Sequence, residues 1–184
     1  MTPSQIEKCL DKLVVLVDTR EQPTARLKER LDAIGFESER KALLCGDYSA
    51  RIIVNSEESI DLSGLFAIER KMDIDELAMC FTRERERFKR EFERATNAGI
   101  KMYLIVEECN WEKLYNASYR SKMNPKALVN SILAFEARYD LRIYFCRKAS
   151  TGKLIRDICR IEARRYLEDN FLFKKQGEME EHNG

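Results

Sequence analysis

The sequence predicts an α/β domain of three layers, a sheet with helices on both faces, and three observations carry that prediction. Short apolar runs with the character of buried strands recur along the chain. Between them lie segments whose apolar residues fall at helical spacing. The 184 residues, 44% of them hydrophobic, suffice for one core and little more.

Taken in order, residues 13–18 (LVVLVD) are apolar up to the last position, the mark of a strand buried on both faces. Pro23 then opens a helix in which Ala25, Leu27, Leu31 and Ile34 keep helical spacing, and Gly35 ends it. A second strand is predicted over 36–44, and a third over 48–54 follows the turn at Gly46-Asp47. The polar stretch 55–59 reads as a hairpin loop and 65–70 as the returning strand. Residues 73–97 read as one long helical region dense in charge, ended by Gly99. Residues 102–107 make another buried strand. After a connection over 111–125 come a helix at 126–139, a strand at 141–146 and a last helix at roughly 152–168. A polar tail from Lys174 is expected to fray, so that 1–173 form a single domain and 174–184 a flexible tail. The sequence shows no internal repeat and no domain boundary.

Composition removes several function classes. Charged residues reach 35%, yet 33 Lys+Arg against 32 Asp+Glu leave a net charge of +1. That balance gives no support for a polybasic protein, while a local basic face stays compatible with nucleic acid. No apolar run approaches the roughly 20 residues of a membrane span, and the start, MTPSQIEKCLDK, has no signal-peptide stretch. The six cysteines, at 9, 45, 80, 109, 146 and 159, lack CxxC-type spacing. Buried reduced thiols in a cytoplasmic protein are the expectation, with no membrane partner and no small-molecule cofactor. The single histidine, His182, sits in the tail, so histidine catalysis and histidine metal sites drop out.

Charged residues that close apolar strands mark the candidate chemistry, because burying a charge without a partner is expensive. Asp18 closes the first strand and runs into Arg20-Glu21. Asp47 follows Gly46 at the start of another strand, and Glu69, Arg70 and Lys71 close a third. Residues two apart share a strand face about 7 Å apart, so Glu69 and Lys71 point together and Arg70 points away. With Asp47 from a neighbouring strand, this is the D…(E/D)xK arrangement of metal-dependent phosphodiester cleavage. Carboxylates suit a hard cation, and the lysine holds a phosphate or orients and deprotonates a water. Solvated strand ends account for the same residues, since so charged a chain offers many ExK triplets.

The strings VDTRE, GDY and IERKMDIDEL, in that order, resemble the ERCC4-type nuclease domain of the XPF/MUS81/Hef family, whose signature is GD followed by ERKxxxD. Gly46-Asp47 supplies the first part and Glu69-Arg70-Lys71-Met72-Asp73-Ile74-Asp75 the second; the match runs from about residue 13 to 145. The resemblance implies a restriction-endonuclease-like fold with a central mixed sheet flanked by helices. It also implies an endonuclease that uses Mg2+ or Mn2+ and acts on branched, flap or fork DNA. On it, Asp18, Asp47 and Glu69 are metal ligands and Lys71 orients water and phosphate. Arg70 and Arg20 support the site or contact the scissile strand, Glu39 is an acidic support on the second strand, and Asp75 caps or orients the following helix. Relatives carry tandem helix-hairpin-helix modules; no Gly-rich hairpin repeats follow here, so the resemblance is to a stand-alone form, bacterial or phage-like. Two other readings stand beside it: a non-catalytic DNA-binding subunit, and a nuclease acting on RNA or plain duplex. Inactive members lose the carboxylates, whereas Asp18, Asp47, Glu69 and Lys71 are all present.

Three further segments have a bland and a functional reading. The run 81–94 holds six basic and four acidic residues, which suits a solvated helix laced with ion pairs. By family position, Arg83, Arg85 and Arg87 instead line the DNA entry, with Phe81, Phe88 and Phe92 facing the core. Trp111, Tyr115 and Tyr119 recur every four residues before Arg120, Lys122 and Lys126, as core or dimer contacts or as a loop touching unpaired bases. The last helix carries Arg156, Arg160 and Arg164, a candidate phosphate-binding stripe or a plain surface, with Leu154, Ile155, Ile158 and Ile161 docking it on the sheet or on a second subunit. A homodimer is expected, because family nuclease domains pair through their own helices.

Overall fold

The computed structural model describes residues 1–172; the tail expected over 174–184 lies outside the described residues. Seven strands join in one mixed sheet: β1 (Val14–Asp18), β2 (Glu37–Lys41), β3 (Tyr48–Ile53), β4 (Ser59–Asp61), β5 (Phe66–Lys71), β6 (Lys101–Glu107) and β7 (Arg142–Cys146). Their order is β2-β1-β3-β5-β6-β7, with β4 beside β3. β1 runs parallel to β2 and antiparallel to β3, and β5, β6 and β7 are mutually parallel.

Alternation along the strands divides the core in two. Val15, Val17, Tyr48, Phe66 and Ile68 face α1 (Pro3–Leu10), α2 (Ala25–Ile34) and α7 (Lys148–Leu167). Ala67, Met102, Leu104 and Val106 face α3 (Ile74–Cys80), α4 (Arg85–Asn97), α5 (Trp111–Tyr115) and α6 (Pro125–Tyr139). The three-layer expectation holds. Phe81, Phe88 and Phe92 are buried, as expected of core-facing residues; Phe88 meets Phe81 and Phe92 edge-on and stacks on Phe135. All six cysteines are free, five of them buried. Among the described residues, no helix is long and apolar enough to cross a membrane.

Several elements differ from the sequence reading. α1 was not predicted; Thr2 and Gln5 form a reciprocal capping box and Pro3 takes the first turn. The helix expected over 73–97 is two helices. Phe81 turns into the core, the Thr82 hydroxyl donates to the Ala78 carbonyl at 2.9 Å, and the Glu84 N–H to Met79, so the chain turns without glycine or proline. The hairpin partner of β3 is the short β4, and β5 meets β3 only at Tyr48–Ile68.

On the last helix, the arginines read as a candidate phosphate-binding stripe are ion-paired. Arg160 reaches Glu7 at 2.9 Å and Asp11 at 3.0 Å, and Arg164 reaches Glu7 at 2.6 Å. The unpredicted α1 thus neutralises two of the three arginines read as a phosphate-binding stripe, and Arg156 pairs with Asp157 at 3.0 Å. Ile155 and Ile158 dock α7 on the sheet, whereas Ile161 is exposed.

α7 crosses α2 in near backbone contact. A Cβ at Gly152 would stand 2.7 Å from both the Ala33 Cβ and the Arg30 carbonyl oxygen. Alanine favours a helix by about 1 kcal/mol over glycine, but a clash with backbone cannot relax by turning a side chain. Gly152→Ala should therefore cost about 1–3 kcal/mol net, read as a lower urea midpoint at unchanged slope; a raised midpoint would show that the crossing yields.

Candidate active site

The ends of β1, β3 and β5 meet at one edge of the sheet, tied together through Asp47. The Asp18 N–H donates to the Asp47 carbonyl at 2.8 Å, and the Asp47 N–H donates to the Ile68 carbonyl at 2.8 Å. The Arg70 N–H then donates to Asp47 Oδ2 at 2.8 Å. The turn leaves no room for a side chain before Asp47. Gly46 has φ +73°, and a Cβ there would meet the Ala67 Cβ at 3.0 Å and the Ile68 oxygen at 3.1 Å. Its N–H donates to Glu91 on α4 at 3.0 Å.

Glu69 and Lys71 point to the α3/α4 face, as strand alternation predicted. Lys71 Nζ donates to Glu69 Oε1 at 2.5 Å and lies 5.5 Å from the Phe88 ring centre, with Glu76 at 3.9 Å. The pair is more enclosed than a solvated strand end, at 5% and 7% exposure. Burial, foremost, raises the Glu69 pKa, with Lys71 opposing and Glu91 adding to the rise. For Lys71, burial favours the neutral amine, yet the charge of Glu69 and its hydrogen bond outweigh this and hold the ammonium. The Asp47 pKa is raised well above its ordinary value by burial and then by the charge of Glu69.

Arg70 points to the opposite face. It lies 3.8 Å from Glu21 and 3.6 Å from the buried Glu107, which lies 3.9 Å from Arg30; Arg30 in turn donates to the Tyr48 hydroxyl at 2.6 Å. Glu21, Arg30, Arg70 and Glu107 floor a cleft of about 840 Å³ that Asp47, Arg20, Arg26 and Lys148 also line. Arg70 Nε and Glu107 Oε1 are buried there without a hydrogen-bond partner among the described residues. Asp47 thus borders the cleft on one side and interacts with Glu69 on the other.

The three expected metal ligands are not equivalent. Among the described residues, no three His, Cys, Asp or Glu side chains form a metal-holding group. Asp18 is the one that does not fit: Oδ1 accepts the N–H and Nε–H of Arg20 at 2.8 and 2.6 Å, and Oδ2 accepts the Leu43 N–H at 2.8 Å. Burial alone would raise its pKa, but these donors and the Arg20 charge bring it below the usual value. Asp47 and Glu69 do fit a hard cation. Both offer carboxylate oxygen, and their mutual charge is the repulsion a cation relieves.

The supporting residues sort in the same way. Arg20 clasps Asp18 and lines the cleft. Glu39 bonds Arg51 at 2.6 Å on the sheet surface and joins no site carboxylate. Asp75 does not cap α3; Asp73 does, accepting the Glu76 N–H at 2.8 Å, while Asp75 holds the Arg120-Ser121 backbone. Arg83 lines a second groove with Arg120 and Lys122, Arg85 is exposed, and Arg87 pairs with Glu84. Sequence reasoning missed Arg30, Glu91 and Glu107. All three left a signal: Glu91 interrupts the apolar stripe Phe88, Phe92, Ala95 of α4, Arg30 interrupts that of α2, and Glu107 closes the apolar strand β6 as Asp18 closes β1.

A mixed sheet between helical layers, with acidic groups and a lysine gathered where β3 and β5 meet, defines a restriction-endonuclease-like α/β fold. Within that class, the chain belongs to the ERCC4 domain family, a family of nucleases, whose model matches residues 17–158. Its fold is similar to that of XPF from Aeropyrum pernix, with TM-score 0.57 and 21% identity over 81% of this chain and 61% of that one. It is likewise similar to XPF from Aeropyrum pernix in complex with DNA, with TM-score 0.57 and 21% identity over 84% of this chain and 66% of that one. The chain thus spans less than two thirds of either. No curated protein matches it significantly.

The clasp on Asp18 predicts a pH signature. Its folded pKa lies below the unfolded value of about 3.9, so its stabilisation is complete above that value and is lost as pH falls through the folded pKa. Asp18→Asn should cost about 1–3 kcal/mol at pH 7 and progressively less towards pH 3, by urea unfolding across that range. Equal stability of the two proteins at pH 7 would contradict the clasp.

Proposed function

We propose that the chain is a divalent-metal-dependent DNA endonuclease that hydrolyses phosphodiesters in branched, flap or fork DNA. The observation that carries this reading is Asp47, which lies between the Glu69–Lys71 pair and the arginine-lined cleft. Asp47 and Glu69 are the residues to hold Mg2+ or Mn2+. When bound, such an ion neutralises charge at the scissile phosphate and acidifies water. Lys71, held as an ammonium by Glu69, acts as a hydrogen-bond donor that orients a phosphate oxygen or a water. Arg20, Arg26 and Lys148 at the cleft rim neutralise backbone phosphates, and Arg70 fixes Asp47 through its N–H. DNA as the polymer is further supported by the relative solved in complex with DNA.

A second reading, a non-catalytic DNA-binding subunit, is favoured by one observation: Asp18 already accepts three hydrogen bonds, so it is less available to a cation than the family pattern implies. Cleavage separates the two. With labelled flap, fork, four-way junction, duplex and RNA substrates, Mg2+ should give cutting of branched DNA that EDTA abolishes. Asp47→Asn and Glu69→Gln should each slow single-turnover cleavage by at least about a hundredfold while leaving affinity nearly unchanged. Substantial turnover in either variant at saturating Mg2+ would remove the assignment.

The reading includes a homodimer. Most apolar residues of α6 are committed to the core, but Leu133, with Tyr115 on α5, stays exposed beside Pro125 and Val129. Light scattering at micromolar concentration should return twice the chain mass, and Leu133→Glu should restore the monomer. A strict monomer of the unaltered chain removes this part of the reading.

A further inference from the structure

The connection between α5 and α6 forms a ridge between two concavities. On one side lies the 840 Å³ cleft with Asp47, and on the other a groove of about 680 Å³ lined by Asp75, Arg83 and Lys122. Arg120 lines both. Its side chain is 85% exposed, yet its position is fixed. The Asp75 carboxylate accepts the Arg120 N–H at 2.8 Å, the Arg120 Nε–H at 2.9 Å and the Ser121 N–H at 2.6 Å. The Tyr119 hydroxyl donates to the Met123 carbonyl at 2.9 Å and closes the loop from the other end. Asp75 stands in the first turn of α3, directly after the strand that carries Glu69 and Lys71. The ridge is therefore registered to the catalytic strand by four residues of chain.

We propose that this ridge divides a DNA branch. Arg120 stands where two arms part, one backbone entering the Asp47 cleft and the other the Arg83–Lys122 groove. A plain duplex presents phosphates along one continuous path, whereas here two concavities with cations of their own, Arg20, Arg26 and Lys148 in one and Arg83 and Lys122 in the other, flank a fixed arginine. The first also holds Glu21, Asp73 and Glu108, so Arg120 tips its balance towards phosphate. With Nε engaged by Asp75 and Nη2 at 3.8 Å from Asp73, Nη1 of Arg120 is left for a phosphate, and its side chain stays exposed to receive one. Holding the loop in place beforehand removes an ordering cost that binding would otherwise meet. Asp75 is then a positioning residue that acts through Arg120. The inference rests on the nuclease reading above and names the element by which that site distinguishes a branch from a duplex.

Binding titrations in EDTA test it apart from cleavage, using labelled flap, fork and plain duplex over about 50–200 mM salt. Arg120→Ala should weaken flap and fork binding several-fold, leave duplex binding nearly unchanged, and lower the branched-DNA salt slope by about one. Arg120→Lys, which keeps the charge, should keep that slope. Asp75→Asn should shift the branched-to-duplex ratio in the same direction, and the double variant should add little to Arg120→Ala. An unchanged ratio and slope in Arg120→Ala, or an equal loss on duplex, overturns the ridge. If the unaltered protein prefers branched DNA in that case, the nuclease reading survives and only the ridge falls. If the unaltered protein binds no DNA of any shape, both fall.

Discussion

Asp47 is pinned by the main chain on three sides. Its carbonyl receives the N–H of Asp18, its N–H bonds Ile68, and its carboxylate receives the N–H of Arg70. These contacts join β1, β3 and β5 at one point of the sheet edge, where β3 and β5 otherwise share a single paired position. Gly46 makes the approach possible, since any side chain there would collide with Ala67 and the Ile68 carbonyl. The rest of the site depends on this constraint. It places a carboxylate between two sheet faces, and each face then adds its own chemistry.

On those faces, charge is buried only in company. Glu69 has Lys71, and Arg70 has Glu21 and Glu107, with Arg30 completing the chain of pairs to Tyr48. Removing one member of such a pair strands the other, at a cost of about 3–5 kcal/mol, so these networks constrain which substitutions the site tolerates. The raised carboxylates of Asp47 and Glu69 mark the place where compensation among the described residues is incomplete. Perturbed groups beside a cleft are the physical signature of a functional site.

Whole-chain charge says little about where phosphates bind. Arginines at regular spacing on α7 look like a basic stripe until α1 supplies Glu7 and Asp11 to them. Arginines scattered in sequence, at 20, 26, 30, 70 and 120, line one cleft together with Glu21, Asp47, Asp73, Glu107 and Glu108, and most of them are ion-paired as well. Phosphate binding follows local potential rather than net charge, and local potential is a property of the fold.

By itself, the sequence determined the layers and the strand faces. Continuous apolar runs identified β1 and β6, and alternation along 66–71 put Glu69 with Lys71 and Arg70 opposite, because both signals are written within a single element. The ERKMDID string identified the family for the same reason, being local. The tertiary structure alone decided which carboxylates are engaged. Asp18 and Asp47 look equivalent as acids at strand ends, yet one is clasped by Arg20 and Leu43 while the other borders Glu69 and the cleft. It also decided that Asp75 holds Arg120, 45 residues away, and that Arg160 and Arg164 of α7 pair with Glu7 of α1. Hydrogen bonds and ion pairs join groups far apart in the chain, and periodicity carries no record of what lies across the gap.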